Sequence, residues 1–158
     1  MTAARRRLVF DCNVFAQALI NELCPAGRCF NEAKLGNATL YVSEYVLKEI
    51  EELHQKIPAR YQVTAEDCEM LLEQISTFAE IINRPDSVYV HPIDPDDSAY
   101  VNLAIAAKAE LIVSRDKHLL GLNDPGKPWS KEFRDRFPAL RVLTPDQYLA
   151  ERQIPKAT

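Results

Sequence analysis

The sequence contains no long apolar run, and this absence excludes a class of protein. None of its 158 residues fall in a stretch that approaches the roughly 20 consecutive apolar residues of a membrane-spanning helix. The N-terminus carries arginines but lacks the apolar segment that is typical of a signal peptide. We therefore expect a cytoplasmic protein that has no membrane partner.

The sequence also lacks a cysteine pattern and an excess of positive charge. None of its four cysteines form a CxxC pair, and the three histidines show no ligand spacing with them. A zinc site and a disulfide framework are therefore not expected, and the cysteines should be free thiols. The net charge of −4 argues against general polyanion binding. If nucleic acid is the substrate, local basic residues or metal ions must offset the acids.

What the sequence does contain is an alternation of short apolar segments and helical patterns. Its 47% hydrophobic and 27% charged residues are typical of a globular domain. The apolar segments predict strands at residues 8–10, 39–42, 88–90, 111–113 and 141–143. The patterns between them predict helices at 13–23, 30–35, 44–56, 64–82, 95–110 and 145–151. Such alternation predicts an α/β fold, a single three-layer α/β/α domain with a central parallel sheet.

Carboxylates stand at several ends of these predicted elements. Asp11 directly follows the first strand, and Asp116 follows the fourth. Ligand sites of open α/β sheets lie at the carboxyl edge of the strands. Asp97 falls in the first turn of the helix that Asp94 can cap, so a helix start can meet this edge. Glu49 lies at the border of the apolar face of its helix, where its side chain can lean inward.

Each of these acids also has a purely structural interpretation. Asp97 fits an acid within a helix cap, Asp116 fits the cap of a short helical turn, and Glu49 fits a plain surface glutamate. These acids therefore indicate a functional site only if their side chains lie close together in the folded protein. Carboxylates at one edge repel one another and raise each other's pKa unless cations share the site. Mg²⁺ or Mn²⁺ suits oxygen ligands and can activate water, so no histidine or lysine base is needed.

Four segments carry a resemblance when they are taken in order. They are LVFDCNVF, TLYVSEYVLKEIEEL, DPDDSAYVNLAIAAKAELIVSRDKHLL and RVLTPDQYL, which together reach from Leu8 to Leu149. This set resembles the PIN-domain ribonucleases, and among them the bacterial branch of toxins from toxin–antitoxin pairs. The resemblance implies a PIN-like nuclease domain over residues 1–152, followed by a C-terminal tail over 153–158. Residues 121–140, which are rich in proline, depart from the short link usual in that family.

The resemblance further implies a metal-dependent endoribonuclease that cleaves single-stranded RNA with Mg²⁺ or Mn²⁺. The family's catalytic and metal-binding acids fall on Asp11, Glu49, Asp97 and Asp116. Its supporting polar positions fall on Asn13 and Ser114. An antitoxin protein and a second copy in a homodimer are the implied partners besides RNA. Independently of the resemblance, Arg115 and Lys117 flank the last acid and are placed for phosphate contact, although loop solvation explains them equally well.

Two alternative functions remain open at this point. A phosphatase of the haloacid dehalogenase type would use Asp11 as nucleophile and Ser43 to bind phosphate. That chemistry needs a second acid two residues after the nucleophile, where this chain has Asn13. The other alternative is a non-catalytic PIN-fold module for interaction or RNA binding, against which the presence of all four acids argues.

Overall fold

The computed structural model of the protein, in which residues 5–153 are described, is built on a parallel sheet. Its strands are β1 (Arg6–Phe10), β2 (Ala38–Val42), β3 (Glu80–Ile81), β4 (Leu111–Val113) and β5 (Arg141–Leu143). They lie in the order β3-β2-β1-β4-β5, and every pairing is parallel. Helices flank the sheet, so the predicted α/β fold with a central parallel sheet is confirmed.

The helices alternate with the strands along the chain. They are α1 (Cys12–Ile20), α2 (Pro25–Lys34), α3 (Glu44–Glu51), α4 (Leu53–Lys56), α5 (Ala65–Phe78), α6 (Ser98–Ala107), α7 (Lys117–Leu120), α8 (Lys131–Arg136) and α9 (Pro145–Gln153). Within residues 5–153, none of these helices has the length and apolar character needed to cross a membrane. Most of the predicted C-terminal tail, residues 154–158, lies outside the described part of the chain.

The central strands are buried, and their register positions the chemistry. β1 and β4 are adjacent, with Phe10 opposite Val113. Both strands end in fully buried apolar segments because helices cover the two faces of the sheet. The next residues, Asp11 and Ser114, therefore emerge side by side at the carboxyl edge. The N–H of Asp11 still donates to the carbonyl of Val113, at 3.1 Å, so the first acid is held by the sheet itself.

The prediction of a strand at residues 88–90 is wrong. The third strand is β3, which pairs with β2 through Tyr41 opposite Glu80, and α5 ends at Phe78 instead of continuing to residue 82. The N–H groups of Val88 and Tyr89 both donate to Oδ1 of Asn102 on α6, at 2.9 Å. A short apolar segment predicted this strand, but the side-chain amide of Asn102 accepts the hydrogen bonds that a neighbouring strand would otherwise accept.

Three helix predictions also need correction. Residues 25–29, which lie between the predicted helices 13–23 and 30–35, are the start of α2, because Cys24 caps this helix and Pro25 fits its first position. The predicted helix 44–56 is divided at Glu52 into α3 and α4. Residues 121–140, for which no helix was predicted, contain α8, whose Phe133 is fully buried in the core. Its apolar contact with the body explains how this proline-rich segment is held.

Candidate active site

Ser114 connects two of the predicted site acids. Its hydroxyl donates a short hydrogen bond to Oδ2 of Asp11 and accepts one from the N–H of Asp116, at 2.9 Å. Oδ1 of Asp11 accepts from the N–H of Val14, at 3.2 Å, so this acid also caps α1. Asp11 and Ser114 are buried. The structure thus holds Asp11 and Asp116 in a shared network at the ends of β1 and β4.

Asp116 has a structural role as well. Its Oδ1 accepts from the N–H groups of His118 and Leu119, at 2.8 and 3.3 Å, and caps α7. The structural interpretation made from the sequence is therefore correct for this residue. It does not remove the acid from the site, because Asp116 also lines the same cavity as Asp11.

Asp97 reaches this cavity from a different element. It ends the 3-10 turn Pro95–Asp97 that leads into α6, and only 8% of the residue is exposed. Its Oδ2 is buried and has no hydrogen-bond partner among the described residues. A buried carboxylate oxygen without a donor is costly to desolvate. A proton or a cation at this oxygen would remove that cost, so Asp97 fits a cation site.

Glu49 lies on α3 and lines the same cavity, as its position at the border of the apolar face suggested. Its side chain is 25% exposed, and its Oε2 lies 3.0 Å from Nζ of Lys56. Sequence reasoning did not single out Lys56. The spacing of seven residues places both side chains two turns apart, on the same side. However, a segment this rich in glutamate and lysine offers many such pairs.

The cavity that these acids share has a volume of about 260 Å³. Besides the four predicted acids, its lining comprises Cys12, Asn13, Tyr45, Lys56, Asp96 and Tyr100. The predicted supporting residue Asn13 is therefore present at the cavity. Tyr45 and Tyr100, whose rings make an edge contact with centroids 6.2 Å apart, were not predicted. Their signal in the sequence is weak, because tyrosines on amphipathic helices are commonly core residues.

Burial and mutual repulsion control the protonation of the two most enclosed acids. Burial raises the pKa of Asp11 to about 6, to which the charge of Asp116 adds, while hydrogen bonds from Ser114 and Val14 lower it. Burial also raises the pKa of Asp97 to about 7, with further increases from the charges of Asp116, Asp94 and Asp11. A divalent cation would favour the ionised forms. This is the electrostatic behaviour expected of carboxylates that share a metal ion.

The thiol of Cys12 and the hydroxyl of Tyr100, which also line the cavity, stay neutral at neutral pH. Burial, followed by the charge of Glu49, raises the pKa of Cys12 to about 12, so its thiol is a poor nucleophile at neutral pH. Burial raises the pKa of Tyr100 far above its usual value. The hydroxyl of Tyr100 accepts from the N–H of Cys12, at 3.2 Å. It therefore braces the start of α1, beside Asp11.

The residues expected to contact phosphate lie elsewhere. Arg115 forms an ion pair with Asp146, at 2.8 Å, and its Nε donates to Oε1 of Gln17. Lys117 is exposed, and neither Arg115 nor Lys117 is part of the cavity lining. Among the described lysines and arginines, Lys56 is the one that lines this cavity. Lys56 therefore lines the cavity together with the acids, whereas neither of the two predicted residues does.

Comparison with known proteins shows which family the chain belongs to. An uncharacterized protein of Methanocaldococcus jannaschii is 31% identical to this chain over 156 residues, which cover 96% of this chain and 94% of that protein. The sequence model of the PIN domain matches residues 7–118, a segment that includes all four predicted acids. PIN domains are generally metal-dependent nucleases, which indicates a nuclease-type function. The chain belongs to the PIN-domain family.

Proposed function

We propose that the protein is an endoribonuclease that cleaves single-stranded RNA at the acid-lined cavity with Mg²⁺ or Mn²⁺. The observation that carries this proposal is the buried carboxylate of Asp97, which has an unpartnered oxygen and shares its cavity with three further acids. We infer that Asp11, Glu49, Asp97 and Asp116 hold the cation. RNA as the substrate is supported by the resemblance of the four sequence segments to ribonucleases.

In this proposal, the protein's own residues orient the ligands. When bound, the cation supplies an activated water and offsets negative charge on the phosphoryl group. Ser114 and the N–H of Val14 hold the carboxylate of Asp11, while the start of α7 holds Asp116. Such preorganised ligands need no rearrangement during the reaction. In this proposal, water and not the ribose 2′ hydroxyl attacks phosphorus, and the 3′ oxygen is the leaving group. The products should therefore carry a 5′ phosphate and a 3′ hydroxyl.

Lys56 is the basic side chain that we expect to contact a phosphate of the substrate. Its side chain is 52% exposed and pairs with Glu49, so an incoming phosphate can share it without a large desolvation cost. Arg115 would first have to give up its ion pair with Asp146. Lys117 is exposed beside Asp116, and contact with phosphate further along the RNA remains a prediction for it.

The direct test is cleavage of an end-labelled, unstructured RNA with Mn²⁺ or Mg²⁺, followed by analysis of the product ends. We expect EDTA to abolish cleavage. Asp11→Asn should also abolish it and weaken Mn²⁺ binding, whereas the metal-free fold should be as stable or slightly more stable because a buried charge is removed. Glu69→Gln, which changes an exposed acid of α5, is the matched control and should behave as wild type.

Other outcomes of this experiment identify the alternatives. Cleavage in EDTA that leaves a 2′,3′-cyclic phosphate would contradict the proposal. Mn²⁺ binding without cleavage of any RNA would indicate a non-catalytic module. Hydrolysis of p-nitrophenyl phosphate would indicate a phosphatase. No feature of the described residues favours the phosphatase, since Ser43 is buried as the cap of α3 and is not part of the lining of the acidic cavity.

The narrower assignment, the toxin of a toxin–antitoxin pair, rests on the resemblance alone and stays a prediction. It implies an antitoxin partner, a homodimer and a cytoplasmic site of action. Induced expression should then stop bacterial growth, and Asp11→Asn should restore it. Growth that continues during expression of an RNA-cleaving wild-type protein would contradict the toxin assignment while leaving the nuclease proposal intact.

A further inference from the structure

A second group of possible ligands lies next to the acidic cavity and contains a histidine. One carboxylate oxygen each from Asp94 and Asp97 and one imidazole nitrogen of His118 lie within 4.8 Å of one another. Nδ1 of His118 is 3.7 Å from Oδ2 of Asp94 and 4.0 Å from Oδ1 of Asp116. Both distances are too long for hydrogen bonds. Asp94 and His118 are not part of the lining of the acidic cavity, so this group extends beyond the site already described.

The backbone around this group is held by one buried side chain. Nδ1 of His91 accepts from the N–H groups of Ile93 and Asp94, both at 3.1 Å. An imidazole nitrogen that accepts carries no proton, so Nε2 carries it and donates to the carbonyl of His118, at 2.9 Å. His91 is fully buried. It therefore ties the segment bearing Asp94 to the segment bearing His118 in a fixed arrangement.

The individual ligand atoms are also oriented. Oδ1 of Asp94 accepts from the N–H of Asp96, at 3.2 Å, which leaves Oδ2 directed toward His118. Asp97 is more than nine-tenths buried, and its Oδ2 has no hydrogen-bond partner among the described residues. No lysine or arginine among residues 5–153 forms an ion pair with Asp97 or Asp94. The group therefore combines an unpartnered buried acid with an adjacent imidazole, and no lysine or arginine among residues 5–153 balances its acids.

We propose that Asp94, Asp97 and His118 bind a transition-metal ion, Mn²⁺ or Zn²⁺, with Asp97 shared between this position and the acidic cavity. Imidazole favours these ions, whereas Mg²⁺ prefers oxygen ligands alone. Two ligands that each lie about 2.1 Å from one ion are roughly 3–4 Å apart, which agrees with the 3.7 Å between His118 and Asp94. Any contribution of this ion to cleavage rests on the proposed function, but its binding does not.

The two positions should therefore differ in which metal ions they bind. The acidic cavity offers oxygen ligands and would accept Mg²⁺, whereas the position at His118 would distinguish Mn²⁺ and Zn²⁺ from Mg²⁺. By the general order of affinities, Zn²⁺ should displace Mn²⁺ from the position that contains nitrogen. A protein with both positions would take up Mn²⁺ at two classes of site and Mg²⁺ at one.

Pulsed electron paramagnetic resonance of the full chain loaded with Mn²⁺ tests the proposal, because it detects a directly bound nitrogen. We expect ¹⁴N coupling in the wild type, and we expect His118→Gln to abolish it. Asp94→Asn keeps an oxygen that can accept the hydrogen bond from the N–H of Asp96. It should lower Mn²⁺ affinity at least about tenfold, since losing a residue that only supports a ligand already costs that much. Mg²⁺ affinity should change much less than Mn²⁺ affinity in either variant, because the four acids of the cavity remain. His54→Gln, a change at a histidine on α4, is the matched control and should keep the coupling.

The outcomes separate this inference from the proposed function. Wild-type protein that cleaves RNA but shows no ¹⁴N coupling would overturn the inference alone. Coupling that persists in His118→Gln would overturn it as well. Coupling that depends on His118 in a protein that cleaves no RNA would support the metal position and count against the nuclease proposal.

Discussion

The acidic cavity has two sides that are built differently. On the sheet side, Asp11 and Asp116 are held by Ser114 and by backbone N–H groups at the starts of helices. On the helix side, Glu49 is held by a partly exposed ion pair with Lys56. The side chains on the sheet side already have the orientation in which they would bind a cation, so little conformational freedom is lost when it binds. The helix side can adjust, because an exposed ion pair contributes only about 0–1 kcal/mol.

Among substitutions that leave all four acids in place, the largest expected effect comes from breaking the sheet side at Ser114. Ser114→Ala removes the hydroxyl that joins Asp11 to the N–H of Asp116, so the network that links the two acids is lost and only their helix-cap bonds still orient them. We expect Mn²⁺ affinity and cleavage to fall about 10–100-fold, as is typical when a ligand's supporting partner is lost. Calorimetric titration with Mn²⁺ and initial cleavage rates measure the two effects.

Ser130→Ala is the matched control for that change. Ser130 is also fully buried, and its hydroxyl donates to backbone carbonyls in the segment before α8. Its loss should reduce stability by a similar amount while leaving Mn²⁺ affinity unchanged. Equal effects of the two substitutions on Mn²⁺ binding would show that the loss at Ser114 is a general consequence of destabilisation.

The two sides also differ in how far the sequence predicts them. The apolar segments before Asp11 and Asp116 indicate buried parallel strands, and the carboxyl edge of such strands brings the two acids together. The segment before Asp97 was predicted less well, because a side-chain amide of Asn102 replaces the expected strand at 88–90. Such a long-range contact leaves no local pattern. The pairing of Glu49 with Lys56 was also not predicted, since neighbouring charges offer equivalent partners.

The stability of the metal-free protein should depend on pH through its two buried acids, Asp11 and Asp97. The folded metal-free protein holds protons on Asp11 and Asp97 up to pH values of about 6 and 7, because burial raises the pKa of each, whereas the unfolded chain releases them near the usual 3.8. Between these limits the folded state binds more protons, so these groups make stability fall as pH rises from about 4 to 7. Each unit by which a carboxyl pKa in the folded state exceeds that in the unfolded chain lowers the free energy of unfolding at neutral pH by at most roughly 1.4 kcal/mol.

Urea denaturation in EDTA from pH 4 to 8 checks this dependence. Asp11→Asn should show a shallower decline than wild type, because one of the two titrating acids is absent. Mn²⁺ in place of EDTA should reverse the decline near pH 7 and above, since the ionised acids bind it. If the metal-free wild type and Asp11→Asn both became more stable from pH 5 to pH 7, the result would contradict buried carboxylates that repel one another.

The smallest effect is expected from the helix side. Lys56→Met removes the exposed partner of Glu49 and should change stability by no more than about 0.5–1 kcal/mol. RNA binding should weaken several-fold, and its dependence on salt should decrease by about one phosphate contact. Fluorescence anisotropy with a labelled RNA at several salt concentrations measures both. Lys131→Met, at an exposed ion pair on α8, should leave binding unchanged.

In the proposed site, the buried carboxylate of Asp97 binds a divalent cation. Thermal melts of wild type and Asp97→Asn, with Mn²⁺ and with EDTA, test it most directly, because a ligand that binds only the folded state raises its melting temperature. We expect Mn²⁺ to raise the melting temperature of the wild type and to have little effect on Asp97→Asn, whose metal-free form should melt at the same or a higher temperature. A Mn²⁺-induced increase of equal size in both proteins would contradict the account.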